Sequence, residues 1–129
     1  MRLYFAIIII ALNSALGFGQ AAEFSIDKSV HKFPSTEQGV VLSHTFTVTN
    51  TGNAPLIISN YKVACTCTKV VLPEHPIQPG DTAGLQVTFD TSDKYYFQDR
   101  TIYLFTNERE KPEKIRIKVQ VIEPKVANS

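Results

Sequence analysis

A chain of 129 residues is long enough for one hydrophobic core and not two, and its 43 % apolar and 19 % charged content is that of a globular protein rather than a disordered one. The 13 lysines and arginines almost match the 12 aspartates and glutamates, and without Arg2, which falls in the leader described next, the two signs balance. A neutral mature chain lacks the basic footprint of a nucleic-acid or anionic-membrane binder, so those partners are excluded on composition.

Residues 1–19 read as a secretory signal peptide. Arg2 gives the positive start, Leu3 to Leu12 is an unbroken apolar run, and small residues follow at Ala15, Gly17 and Gly19. The run is shorter than the roughly 20 residues a permanent span requires. Gly17-Phe18-Gly19 places the cut near Gln20, with Ala22 as the second choice, and no cysteine stands there to take a lipid. The expectation is one domain over residues 20–129, periplasmic or secreted, with no membrane span in the mature chain.

From Glu23 onward apolar residues recur with a period of two, and turn residues interrupt them every eight to twelve positions or so, the pattern of an all-β sandwich. A first strand runs from Phe24 to about Val30. A loop follows over Phe33–Gly39. Leu42, His44, Phe46 and Val48 mark one face of a second strand, opposite Ser43, Thr45, Thr47 and Thr49. Asn50 to Pro55 is a turn by composition, and Leu56 to Val63 a third strand with Cys65 and Cys67 at or just past its end. Leu72-Pro73-Glu74-His75-Pro76 cannot be central strand, because proline removes ladder hydrogen bonds.

Gln78-Pro79-Gly80-Asp81 has proline and glycine where a type II turn wants them. Ala83 to Phe89, Ile102 to Phe105 and Ile115 to Val121 complete the strands, and Pro124 ends the last. No helical period, repeat or low-complexity tract follows the leader. About seven strands in a mature chain of this size predict an immunoglobulin-like β-sandwich, although tryptophan is absent and two cysteines two residues apart cannot form an inter-sheet bridge.

Several of these residues also fall in a familiar order. His44-Thr45-Phe46, Asn50-Thr51-Gly52-Asn53-Ala54-Pro55-Leu56, Cys65-Thr66-Cys67-Thr68, Ile77-Gln78-Pro79-Gly80-Asp81 and Phe105-Thr106-Asn107 follow one another over Phe24 to Ile122. In this the chain resembles domain-of-unknown-function family 1573, small exported proteins common in Gram-negative bacteria. The resemblance implies an immunoglobulin-like sandwich related to the domains of the major sperm protein and cilium-associated type, which bind other proteins. Two positions depart from the family pattern. Thr66 replaces the glycine usual between the cysteines, which predicts an extended or strained backbone there. Lys94-Tyr95-Tyr96-Phe97 stands where a glycine-containing turn is usual.

Cys65 and Cys67 are the candidate site. As neighbours on one strand face they could be buried as small apolar residues, form a bridge close to the upper Cα separation of about 6.8 Å, or offer two soft thiolates to a metal, for which copper(I) is the fitting ion. His75, eight residues on, would be a third ligand; the plainer reading is a solvated loop histidine. His44 on the apolar face reads as a core histidine, and His31 has no evident partner. Tyr95, Tyr96 and Phe97 form either a partner-binding patch or a plug at the end of the sandwich. The mixed-charge run Glu108–Lys114 reads as a solvated hairpin loop.

No nucleophile elbow, zinc-protease helix, phosphate loop or nucleotide fingerprint is present. The sequence thus predicts a non-enzymatic module that binds another protein of the periplasm or cell envelope, or serves it structurally, with no cofactor. The alternative is a small copper(I) or thiol-redox carrier built on Cys65 and Cys67.

Overall fold

Three stretches of strict alternation become three long strands, and they build two facing sheets. A computed structural model describes residues 19–123; residues 1–18 and 124–129, which carry most of the leader and the C-terminal tail, lie outside the described residues. In chain order the strands are β1 (Phe24–Ile26), β2 (Val30–Lys32), β3 (Thr36–Glu37), β4 (Val41–Asn50), β5 (Ile58–Lys62), β6 (Thr68–Val71), β7 (Thr82–Asp90), β8 (Tyr96–Thr106) and β9 (Glu113–Ile122). One sheet has the order β1-β4-β7-β6 and the other β2-β9-β8-β5, with β3 also paired to β9. No helix among the described residues is long and apolar enough to cross a membrane.

The β-sandwich expected from the sequence is therefore present, and the core lies where alternation puts it. Phe46, Val48, Leu85, Val87 and Phe89 of the first sheet and Ile102, Leu104, Ile115, Ile117 and Val119 of the second are all buried. Each contributes on the order of 1.5–3 kcal/mol by leaving water. The lead strands pair in simple registers, Phe46 opposite Leu85 and Ile102 opposite Ile115.

Three local expectations are corrected. The first strand does not run to Val30: the polar trio Asp27-Lys28-Ser29 breaks it, and the chain crosses from β1 on β4 to β2 on β9, parallel to it. The Phe33–Gly39 loop contains β3, a two-residue pairing on β9. Thr68–Val71, assigned to no strand by pattern, is β6, in which only Thr68 and Val70 are buried. The Pro-Gly turn is as expected. Gly80 has a φ of 83°, and the Asp81 amide donates to Gln78 O at 2.9 Å.

The end of the sandwich is fastened by one side chain. Asn50 is fully buried at the last position of β4. Its Oδ1 accepts the amides of Gly52 at 2.9 Å and Glu23 at 3.3 Å, and its Nδ2 donates to Ala54 O at 2.7 Å and Ile77 O at 2.8 Å. Its own amide donates to Asp81 O, and its carbonyl accepts the Gly80 amide. Four segments thus meet on one residue with every polar atom satisfied. Gly52 follows from this: a Cβ there would stand 2.6 Å from Glu23 N and 2.8 Å from Ala22 C, so only glycine lets residues 21–23 lie on the turn. Asn107 repeats the device one sheet away, donating to Pro55 O at 2.9 Å and accepting the Ile57 amide at 2.8 Å. Nor is Glu108 merely a solvated loop residue, since its carboxylate accepts the Phe24 amide.

Asn50→Ala should cost about 3–5 kcal/mol in chemical denaturation, because two amides and two carbonyls lose their partner at once. Asn50→Asp should be no better near neutral pH, since its carboxylate would face Ala54 O and Ile77 O; part of that loss should return on acidification. A loss under about 1 kcal/mol for either variant would contradict this role.

Candidate functional site

The cysteine pair occupies the crossing from one sheet to the other. β5 belongs to the second sheet and β6 to the first, and Val63–Cys67 carries the chain between them. The backbone is not extended here. Thr68 donates its amide to Cys65 O at 3.1 Å, which closes a turn with Cα atoms of Cys65 and Cys67 only 5.2 Å apart. That is within the ordinary range for a bridge, and the two sulfurs are bonded to each other. Thr66 takes no positive φ, so the turn accepts a β-branched residue without the strain expected of it.

The bridge opens onto a groove of about 420 Å³ whose lining includes Val41, Thr66, Lys69, Asp90 and Lys94. Two lysines and two aspartates give this groove no net sign. Asp90 is held below the usual carboxylate range by the amide and side chain of Ser92, the amide donating at 2.9 Å. On its other side Cys65 lines a smaller hollow with Arg100 and Tyr103. Arg100 bonds Gln98 and lies 5.8 Å above the Phe89 ring, yet its Nε is buried without an acceptor. The Cys67 amide donates to Cys65 Sγ at 3.2 Å.

His75 is not brought to the cysteines. β6 carries the chain away for four residues, roughly 13 Å of extended backbone, before the exposed Pro73–Pro76 loop, where His75 lines a separate groove with Glu74 and Gln78. Among the described residues no three His, Cys, Asp or Glu side chains converge as a metal site would need.

His44 and His31, which sequence reasoning left apart, stack face to face with ring centroids 3.5 Å apart and planes 7° apart. Phe33 and Phe46 meet the pair edge-on. Both imidazoles titrate below their ordinary value of 6.5. Burial is the larger cause for each, with Lys28 adding to it at His31 and His31 at His44. The stack joins β2 of one sheet to β4 of the other, a contact that no single-strand pattern announces.

The aromatic run is exposed and does not plug the sandwich. Tyr96 is 71 % exposed, with Tyr95 and Phe97 at about half. The missing glycine leaves its mark: Asp93 and Tyr96 have φ of 59° and 66°. Aspartate tolerates that region, but for a bulky aromatic it is an outlier that costs on the order of 1–2 kcal/mol.

Among solved structures the architecture is that of immunoglobulin-like and PapD-like sandwiches. A protein of unknown function from Porphyromonas gingivalis W83 matches with a TM-score of 0.69 at 16 % identity, covering 83 % of this chain and 50 % of that one, so the chain spans about half its length. The ASH/PapD-like domain 7 of human CEP192 matches with a TM-score of 0.63 at 11 % identity, covering 85 % of this chain and 92 % of the domain. WR4, a Caenorhabditis elegans member of the MSP family, matches at 0.51 and 12 % identity, covering 77 % of this chain and 97 % of that one. No curated protein matches the sequence. The family model described as "Protein of unknown function (DUF1573)" matches residues 24–121, and the chain belongs to that family.

Two outcomes test the site's physics. Because the folded imidazoles bind protons less readily than the unfolded ones, stability should be full above about pH 7 and fall as pH drops through 6.5 toward their lowered values. Melting scans from pH 8 to 5 should show that fall, and a His31→Phe/His44→Phe variant should flatten it; an unchanged slope would refute the assignment. Tyr96→Gly should raise stability by up to about 1 kcal/mol by relieving the positive φ, and a loss of stability would contradict the strain.

Proposed function

We propose that this protein is an exported, non-enzymatic binding module that captures an extended segment of a protein partner in the periplasm or cell envelope by strand addition. The observation that carries the reading is an open edge on β4. β1 pairs only with Val48–Asn50, so among the described residues Val41–Thr47 has β7 on one side and no strand on the other. The Thr51 amide donates outward to Glu23 O and the Asn50 amide inward to Asp81 O, which fixes the alternation along the strand. Ser43, Thr45 and Thr47 therefore point their amides and carbonyls at the open side.

Seven residues of unpaired long strand are an unusual liability in a β-protein, and a template for β-augmentation. Of the other free edges, β6 has four residues and β5 has five with an irregularity between Ile58 and Asn60, while Tyr96–Ile102 of β8, paired only with β9, is as long as the β4 edge but begins at the positive φ of Tyr96. A groove lined by Asp27, Lys28, His44 and Thr45–Thr47 lies at the β4 edge. The likeness to sandwiches of the ASH/PapD-like and MSP kinds lends fold-level support only.

A cut before Gln20 keeps Ala21, whose amide bonds Asn53 Oδ1 at 2.7 Å and whose carbonyl accepts the Asn53 amide; a cut after Ala22 removes both. The copper(I) reading needs both sulfurs as thiolates, and so a reduced pair, before it competes with this one.

Thr45→Pro removes an outward amide and spares the ladder to β7, so it should leave the melting temperature within a few degrees while abolishing partner capture from periplasmic extract. Capture equal to that of the unmodified protein would sink the β4 assignment.

A further inference from the structure

The Cys65–Cys67 bridge does little that the fold requires. The turn it spans is closed by the Thr68 amide on Cys65 O, the Asp90 amide donates to Cys67 O at 2.9 Å, and β6 is laddered to β7 from Thr68 to Val71. A bridge restrains the unfolded chain in proportion to the logarithm of the loop it closes, and a separation of two residues is close to the smallest loop there is. Both sulfurs belong to residues that line an open groove. Accessible bridges with little structural duty are the ones that exchange.

The two sulfurs are also unequal. Cys65 Sγ accepts the Cys67 amide, and Cys65 shares a hollow with Arg100, whose buried Nε–H has no acceptor. An amide donor and a guanidinium both favour negative charge, and both lie on the side of Cys65. Cys67 packs against the core, and its sulfur meets the Thr68 hydroxyl at 3.9 Å. The groove itself carries balanced charge and does not reverse this preference.

We propose that Cys65–Cys67 is a thiol–disulfide exchange site that accepts two electrons from a dithiol reaching it through this groove, an activity that does not require strand addition at β4. A thiolate of the dithiol attacks Cys67 Sγ. The Cys65–Cys67 bond breaks, its electron pair leaves on Cys65, and a mixed disulfide joins the donor to Cys67. The donor's second thiolate then attacks its own sulfur in that mixed disulfide, which closes the donor's bridge and releases Cys67 as a thiolate. The two protons given up by the donor's thiols end on Cys65 and Cys67, so one disulfide is reduced and one is formed.

The test uses the intact mature protein, with dithiothreitol as the dithiol, followed by alkylation and mass measurement. The expected result is two alkyl groups per chain at dithiothreitol concentrations that leave the far-ultraviolet spectrum and melting curve unchanged. Polarity is read from single variants. Cys67→Ser, which keeps Cys65, should react with iodoacetamide at pH 7 about tenfold faster than Cys65→Ser, which keeps Cys67. Reduction only under conditions that melt the protein would overturn the proposal. So would equal or reversed alkylation rates, or the failure of either serine variant to fold, because the proposal holds that the fold does not need the bridge.

Discussion

The side chain of Asn50 is the point on which the rest of the structure hangs. It is the last residue of β4, one past the register with β7, and its side chain bonds the N-terminal segment, the Gly52 turn, the Ala54 carbonyl and the Ile77 carbonyl ahead of the Pro-Gly turn. A buried amide satisfied on all sides specifies geometry as well as stability, because any other arrangement strands polar groups away from water. Thr91 does the same at the opposite end of the β4–β7 ladder, accepting the Val40 amide at 2.8 Å and donating to Val40 O at 2.6 Å. The central pair of strands is thus clamped at both ends of its uninterrupted register.

The family motif gains a physical meaning from this. Asn50 and Gly52 are the hub and the seat for residues 21–23; Pro55 and Leu56 lead the chain past Asn107 into the Leu56–Ile77 bridge; Gly80 supplies the one positive φ its turn demands. All of these are structural duties. The residues that stand outside them are the cysteines, the β4 edge and the exposed aromatics, and it is there that function has room to reside.

Alternation made β4, β7 and β9 legible, because each buries one face and a period of two survives over nine or ten residues. The break at Asp27–Ser29 and the four-residue β6 were not legible. Strands that short show too few alternations to stand out, and a change of sheet leaves no periodic trace. The cysteine turn defied expectation for a different reason: an i to i+3 hydrogen bond draws the Cα atoms to 5.2 Å, a choice that Thr66 does not announce. Nor could the His31–His44 stack be read from pattern, since it depends on how two sheets face one another. The glycine missing near Lys94 was a true signal, for Asp93 and Tyr96 carry the backbone conformation glycine would have taken.

Strand addition requires an open β4 edge, and amide hydrogen exchange of the partner-free protein measures that directly. If the edge is open, the amides of Ser43, Thr45 and Thr47 exchange at least about a hundredfold faster than those of His44, Phe46 and Val48, which are bonded to β7. Equal protection along the whole of β4 would mean that the chain covers its own edge, and the strand-addition reading would fall with it.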